Sequence, residues 1–511
     1  MLLASVRLWL MVCAASAAIL AYAARHSMNS DGLSYLDLAT EALNAGPQEL
    51  INGYWSPGYP ALISAALWIF HPSPGLEFPL LHLLNFGIFL FALWTFSLFA
   101  RLHWPQDPAF AYGTFLFFTL RWIGVELITP DLAVAAIVFL AARAVCLLPS
   151  ERRQTVILGA VLAAGYYLKA AMLPLGLALL GILAITGYQR KRVLASAGVF
   201  LTLSTPLILA ISHRTGRPSF GETGRLNYTW YTGALPRFTG WVGPGALHPP
   251  RQIMDKPEIL EFATPVKGTY PLWYDPSYWY AGAAVPFDLG RQLEASKSAI
   301  HQFLSFAVSA SSYAAGAIAL AVFAGRRNLP LWMWAWPLAA LGTYLMVHFE
   351  ARFLGGFAVL FWLAIYGALE HIPLARTTVL LAALLPLGFT VAKEAAGAVR
   401  ELADQPRPDY EIIAGELKQL GLQEGDRLAV VGYAANADYA RYGRFRIVAE
   451  MPDKEFWRLS PSQSEDASTR LRAIGVNAVV GWNRPDSPPL KAWKDVNLPA
   501  SRRFTIAPLS R

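Results

Sequence analysis

The sequence predicts an α-helical polytopic membrane protein of about eleven transmembrane helices, with a small C-terminal α/β domain outside the membrane. Three observations carry that class. The chain of 511 residues is 55% hydrophobic and only 15% charged, where soluble domains carry about 25% charged residues. Its mean hydropathy is +0.38. Long apolar runs alternate with short basic connections as far as about residue 392, and then the pattern changes. The net charge of +8 gives no reason to expect a nucleic acid partner, because many basic residues lie between apolar runs as topology signals. Cys13 and Cys146 both fall inside apolar runs, so no disulfide framework is available to an external loop.

The first run, 8–24, follows Arg7 and has small residues near Ala21 and Ala23 that loosely imitate a signal-peptide site. With many spans behind it, it reads as an uncleaved first helix. Further spans fall at 79–100, 109–127, 132–149, 154–168, 170–187, 194–212, 298–324, 329–347, 353–370 and 377–392. The run 59–70 is too short to cross and reads as an interfacial or re-entrant helix.

Arg7, Arg101, Arg152-Arg153, Arg190-Lys191-Arg192, Arg326-Arg327 and Arg376 mark every second connection. By the positive-inside rule those connections and the N-terminus are cytoplasmic. The same alternation places the Asp31 loop, Asp131, residues 213–296, Glu350 and the C-terminal region together on the opposite, extracytoplasmic face. The expected location is a plasma membrane, in a bacterium the inner one.

Two domains follow: a transmembrane domain, 1–392, and an extracytoplasmic α/β domain, 393–511. The first includes an external loop, 25–78, with juxtamembrane helices, and a second, 213–296, rich in Pro, Gly and aromatic residues. Rings such as Trp273 and Trp279 suit the faces of sugars, and an interfacial aromatic belt is the plainer reading. His248-Pro249-Pro250-Arg251 and Trp273-Tyr274-Asp275-Pro276 are rigid, polar-studded turns able to shape a pocket. Beyond 392, a helical pattern at 410–422 and apolar runs at 428–431, 445–449 and 478–480 suggest a small parallel sheet, with a helix over 469–474. The turn Gly432-Tyr433-Ala434-Ala435-Asn436 lacks a dinucleotide fingerprint, so a lid or docking module is the expectation.

Ser30-Asp31-Gly32 lies just past the first span, at the head of an amphipathic stretch carrying Leu33, Leu36, Ala39 and Leu43. A carboxylate at a membrane boundary is costly unless solvated or paired, and this one suits a general base beside a lipid-borne substrate. Ordinary helix capping is the competing reading.

The order of these features resembles the GT-C class of integral-membrane glycosyltransferases. The stretch Asp31 to Ala39, then Gly46, then Tyr54-Trp55-Ser56-Pro57-Gly58-Tyr59-Pro60, is similar to the first external loop shared by protein O-mannosyltransferases and lipid A aminoarabinose transferases. Thr129-Pro130-Asp131, Gly165-Tyr166-Tyr167-Leu168-Lys169 and His348-Phe349-Glu350-Ala351-Arg352-Phe353 resemble later motifs of the same superfamily. Gly32 stands where many members have a second acid, and Pro57-Gly58 where Pro-Pro is usual.

The resemblance implies a GT-C-like fold over 1–392 and transfer of a sugar from a polyprenyl-phosphate donor to a glycan, lipid or protein hydroxyl. In that scheme Asp31 is the base and Asp131 orients the acceptor. Arg352 and Lys169 hold the donor phosphate, a snorkelling interfacial side chain being the alternative for Lys169. Tyr35, Glu350, His348, His248, Trp273 and Trp279 are expected to contact substrate. No cofactor is expected; a divalent cation between Asp31 and Asp131 would lack a third ligand. A transporter or flippase is the rival class, disfavoured by the lack of an internal hydropathy repeat. A non-catalytic envelope-assembly scaffold is a third reading.

Overall fold

The computed structural model describes residues 5–103, 107–233, 235, 242–243, 245–262, 264–265, 267–283, 286–310, 330–368, 373–404, 407–432, 434–482, 493–498 and 503–509. Part of the expected span 298–324, the Arg326-Arg327 turn and Tyr433 lie outside them. A helical body occupies the first four-fifths of the chain, and a sheet that has seven strands among the described residues closes its end.

The body begins with α1 (Val6–Ala23), α2 (Ser30–Ala45), α3 (Gly58–Phe70) and α4 (Glu77–His103). It continues with α5 (Pro108–Phe117), α6 (Asp131–Leu147), α7 (Gln154–Leu168), α8 (Met172–Ile185), α9 (Arg190–Thr215) and α10 (Thr223–Tyr231). Helices α11 (Pro271–Tyr274) and α12 (Pro276–Trp279) are single turns before α13 (Leu289–Ala310). Then come α14 (Trp332–Leu345), α15 (Ala351–Ala368) and α16 (Pro373–Asp404).

Among the described residues, three helices are both long and apolar enough to cross a membrane: Val6–Ala23, Pro74–Leu102 and Arg190–Thr215. Gln154–Leu168, Met172–Ile185 and Ala351–Ile365 are shorter apolar helices. The protein is a membrane protein by these spans, while the number eleven is a reading of hydropathy. The expected span 109–127 ends early. Its helix passes into a π-helical turn, Phe118–Ile123, and stops at Gly124, whose φ of 84° favours glycine.

The sheet has the order β1-β2-β4-β3-β5-β7-β6. Strands β3 (Arg427–Val431), β4 (Arg446–Met451) and β5 (Val476–Trp482) are parallel neighbours, as the apolar runs suggested. The rest is antiparallel, so the sheet is mixed. Strands β6 (Lys494–Val496) and β7 (Phe504–Pro508) close one edge.

At the other edge, β1 (Arg251–Met254) and β2 (Ile259–Glu261) come from the aromatic loop, and β2 pairs with β4. A division at 392/393 therefore does not separate the sheet from the rest of the chain. Residue 392 itself lies inside the continuous helix α16. Sequence reading missed β1 and β2 because strands of three and four residues carry no measurable periodicity.

Candidate active site

The site is built where two helices begin. Helix α2 starts at Ser30 with Asn29 as its N-cap residue, so Asp31 lies in the first turn and is not the cap. Helix α6 starts at Asp131 after Pro130. Each carboxylate thus sits at the positive end of a helix dipole. The Asn29 side chain fixes the two starts together: its Oδ1 accepts from the Ile128 amide at 2.9 Å. The Asn85 amide donates to the carbonyls of Val125 and Leu127 at 3.1 and 2.6 Å, holding the segment that leads from the π turn to Asp131.

Gly32 lies within α2, and a Cβ there would meet Ile128 Cβ at 2.8 Å and Met28 Sδ at 2.7 Å. The glycine permits the close approach of the two helix starts. Gly58 does similar work at the head of α3, where a Cβ would lie 2.8 Å from the Tyr167 carbonyl oxygen.

Arg352, one residue into α15, joins the acids. Its Nη2 donates to Asp31 at 2.8 Å and its Nε to Glu350 at 2.6 Å, with Nη1 3.9 Å from Asp131. Lys169, just past α7, donates to Asp131 at 2.6 Å and lies 3.9 Å from the centre of the Phe353 ring. His348 lies 3.0 Å from the Glu350 carboxylate and stacks on Tyr231 at 3.7 Å. Burial alone would raise the Glu350 carboxyl, but the His348 hydrogen bond and the Arg352 charge hold it well below the usual carboxylate range. Burial, joined by the Asp31 and Asp131 charges, pushes the Tyr35 phenol up and keeps it protonated.

Asp31, Tyr35, Asp131, Lys169, His348 and Arg352 line a cavity of about 480 Å³; Glu350, which was expected to contact substrate, is not among its lining residues and instead braces Arg352 and His348. Asp131 is 3% exposed, whereas Asp31 and Arg352 keep 16% and 15%. Both can therefore meet a ligand. Among the described residues no three His, Cys, Asp or Glu side chains come together as a metal site. The Arg352 guanidinium lies between the two aspartates, 2.8 Å from Asp31 and 3.9 Å from Asp131.

His248 is elsewhere. It stacks on Tyr278 at 4.1 Å and lines a second cavity, of about 600 Å³, with Arg214, Asp275 and Ser277. Arg217, Glu222 and Arg225 line both cavities. Glu222 is the hub of that shared wall, accepting from Arg217, from Arg225 at 2.7 Å and from Ser219 at 2.7 Å. Sequence reading passed over it; the available signal was an acid flanked by arginines in a Gly-rich loop.

Trp273 and Trp279 do not reach either cavity. They are 4% and 3% exposed. Trp279 donates from Nε1 to the Pro271 carbonyl at 2.9 Å, and Trp273 packs edge-on behind Trp55, 5.3 Å between ring centres. Aromatic density in that loop serves packing, and Trp55 and Tyr54 present the rings to the first cavity.

No protein-family description matches this sequence, and no curated protein matches it. Solved structures do. The crystal structure of ArnT from Cupriavidus metallidurans bound to undecaprenyl phosphate aligns with a TM-score of 0.53 at 12% identity, over 98% of both chains. The apo form of that protein aligns at 0.53 and 13% identity, again over 98% of both chains. The Archaeoglobus fulgidus oligosaccharyltransferase gives 0.48 at 12% identity, over 92% of this chain and 69% of that one. At such identities the fold is what is shared. It is the fold of the GT-C integral-membrane glycosyltransferases. ArnT is a protein whose fold it shares over 98% of both chains.

Proposed function

We propose that this protein is a glycosyltransferase that moves a sugar from a polyprenyl-phosphate donor to an acceptor hydroxyl on the extracytoplasmic face of the membrane. The observation that carries the reading is the meeting of Asp31, Asp131, Arg352 and Lys169, from four separate segments, around one cavity. The likeness of fold to a protein crystallised with undecaprenyl phosphate supports the donor class.

In this scheme the donor phosphate binds between Arg352 and Lys169, which neutralise the charge that grows on it as the leaving group. Phosphate competes with Asp31 for the Arg352 guanidinium, so donor binding releases the carboxylate to act as a base. The acceptor oxygen attacks the anomeric carbon and its proton passes to Asp31. A new glycosidic bond forms as the bond from carbon to phosphate oxygen breaks, and the lipid phosphate leaves. Asp131 stays paired with Lys169 and fixes its direction. The acceptor approaches through the second cavity, past Arg217 and Arg225, and the lipid chain stays on the membrane side. The basic connections between alternate apolar runs support a cytoplasmic N-terminus and an extracytoplasmic sheet.

The test uses detergent-purified protein and an undecaprenyl-phosphate-linked sugar, with release of undecaprenyl phosphate as readout. Release by the wild type and its loss in Asp31→Asn is the expected result. Release that Asp31→Asn leaves at full rate would remove the base from the mechanism and the reading with it.

A further inference from the structure

Helix α2 carries a second acid that the reaction does not use. Asp37 lies six residues beyond Asp31, so its Cα is about 9 Å further along the same helix and turned to another face. It is 4% exposed. Its Oδ1 accepts from Arg441 at 2.9 Å, and its two oxygens accept from the Thr269 hydroxyl and amide at 3.0 and 2.6 Å. Arg441 lies in α17 (Asp438–Gly443), between β3 and β4 of the sheet. Its remaining nitrogens donate to Thr40 of α2 at 2.9 Å and to Glu77 at the head of α4 at 3.0 and 2.9 Å. Arg444 adds a bond to Glu77 at 2.6 Å. Arg441 itself is 6% exposed.

We propose that Arg441 is a positioning residue: by gripping Asp37 and Thr40 it sets the rotation and height of α2, and so aims Asp31 into the reaction cavity. The inference rests on Asp31 being the base of the proposed transfer. A short helix moves as a unit, so a grip on one face is felt at its first turn. Asp31 meets Arg352 at 2.8 Å, and a displacement of about 1 Å at a reacting group can cost about 10²-fold in rate. A buried guanidinium shared by two carboxylates is directional, and breaking it strands a charge, so the sheet cannot slide over α2 while it holds. The α/β domain is thereby part of the active-site scaffold, 404 positions along the chain from the acid it grips.

The test compares two acids that share Arg441. Asp37→Asn loosens α2 but leaves Arg441 with Glu77. Glu77→Gln removes the other acid, from a helix that supplies no residue to the cavity. Positioning predicts that Asp37→Asn lowers kcat on the order of 10–10²-fold at unchanged KM for the undecaprenyl-phosphate-linked sugar, while Glu77→Gln stays within about twofold. It also predicts faster hydrogen exchange of the α2 amides in Asp37→Asn, with β3, β4 and β5 as protected as in the wild type. Arg441→Lys should recover part of the rate lost in Arg441→Gln. Equal loss of kcat in the two acid variants, or α2 exchange unchanged in Asp37→Asn, would overturn the proposal. The exchange arm needs no substrate. It therefore judges the grip even if Asp31→Asn proves fully active and the transfer reading falls.

Discussion

Two ion clusters hang on one sixteen-residue helix, and they differ in almost everything except composition. At the first turn Asp31 pairs with Arg352 beside a cavity of about 480 Å³. Two turns on, Asp37 pairs with Arg441 in a space sealed by the sheet, Thr269 and Glu77. Both are charge-assisted pairs at 2.8–2.9 Å. What separates them is room. An arginine whose partner opens to a cavity can exchange that partner for a ligand. One whose every nitrogen is satisfied inside protein can only hold two pieces together.

The sharpest way to break the comparison is at Asp31. Asp31→Asn should cut transfer by roughly 10²–10⁴-fold, the usual share of a general base, with thermal unfolding close to wild type. The opposite profile is expected of Arg441→Ala. Leaving the buried Asp37 carboxylate without its cation, and Glu77 with Arg444 alone, should cost about 3–5 kcal/mol of stability, read as a lower denaturation midpoint. A variant that unfolds no more easily than wild type would mean that the sealed cluster holds nothing.

Arg352 tests the idea that the open pair trades Asp31 for phosphate. Arg352→Ala should lower turnover about 10²–10³-fold, and Arg352→Lys should restore only part, because an ammonium cannot grip two phosphate oxygens at once. Full activity in Arg352→Ala would take it out of the site. Trp279→Ala sharpens the same contrast from the packing side. Loss of a sealed ring should cost roughly 3–5 kcal/mol, while the KM of the folded fraction stays put. A raised KM would return the aromatic loop to substrate contact.

The smallest effect is a pH dependence. Asp438, at the start of the helix that carries Arg441, is pushed up to about 6, mainly by burial. A folded carboxyl raised in this way contributes stability that is complete below its ordinary value, near pH 4, and is lost as pH rises through about 6. Asp438→Asn should therefore raise the melting temperature at pH 7.5 by a few degrees and flatten the slope between pH 4 and 7. An unchanged slope would mean that another group titrates there.

Asp37 marks a limit of reading chemistry from one strand of text. In the sequence it is one more polar residue of an amphipathic stretch. Its partner lies 404 positions away, and nothing local to Asp37 announces it. Trp273 and Trp279 show the same limit from the other side, since burial depends on what covers a ring. Tyr35 and His348, by contrast, line the first cavity beside the acids they were grouped with.

Hydropathy and charge alternation by themselves determined the membrane class and the order of helices, because the cost of apolar residues in water and of charges in lipid is paid residue by residue. Local pattern also determined where the parallel strands of the sheet lie, position at the membrane boundary singled out Asp31, and the resemblance to the GT-C class implied Asp131, Lys169 and Arg352 as its companions. Only the tertiary structure decided which acid faces a cavity and which is sealed, that Glu222 joins two cavities, and that two strands of the terminal sheet come from the aromatic loop. Those outcomes depend on contacts between segments hundreds of residues apart, whose energies are set by mutual geometry and by the exclusion of water, and neither is written in any one segment.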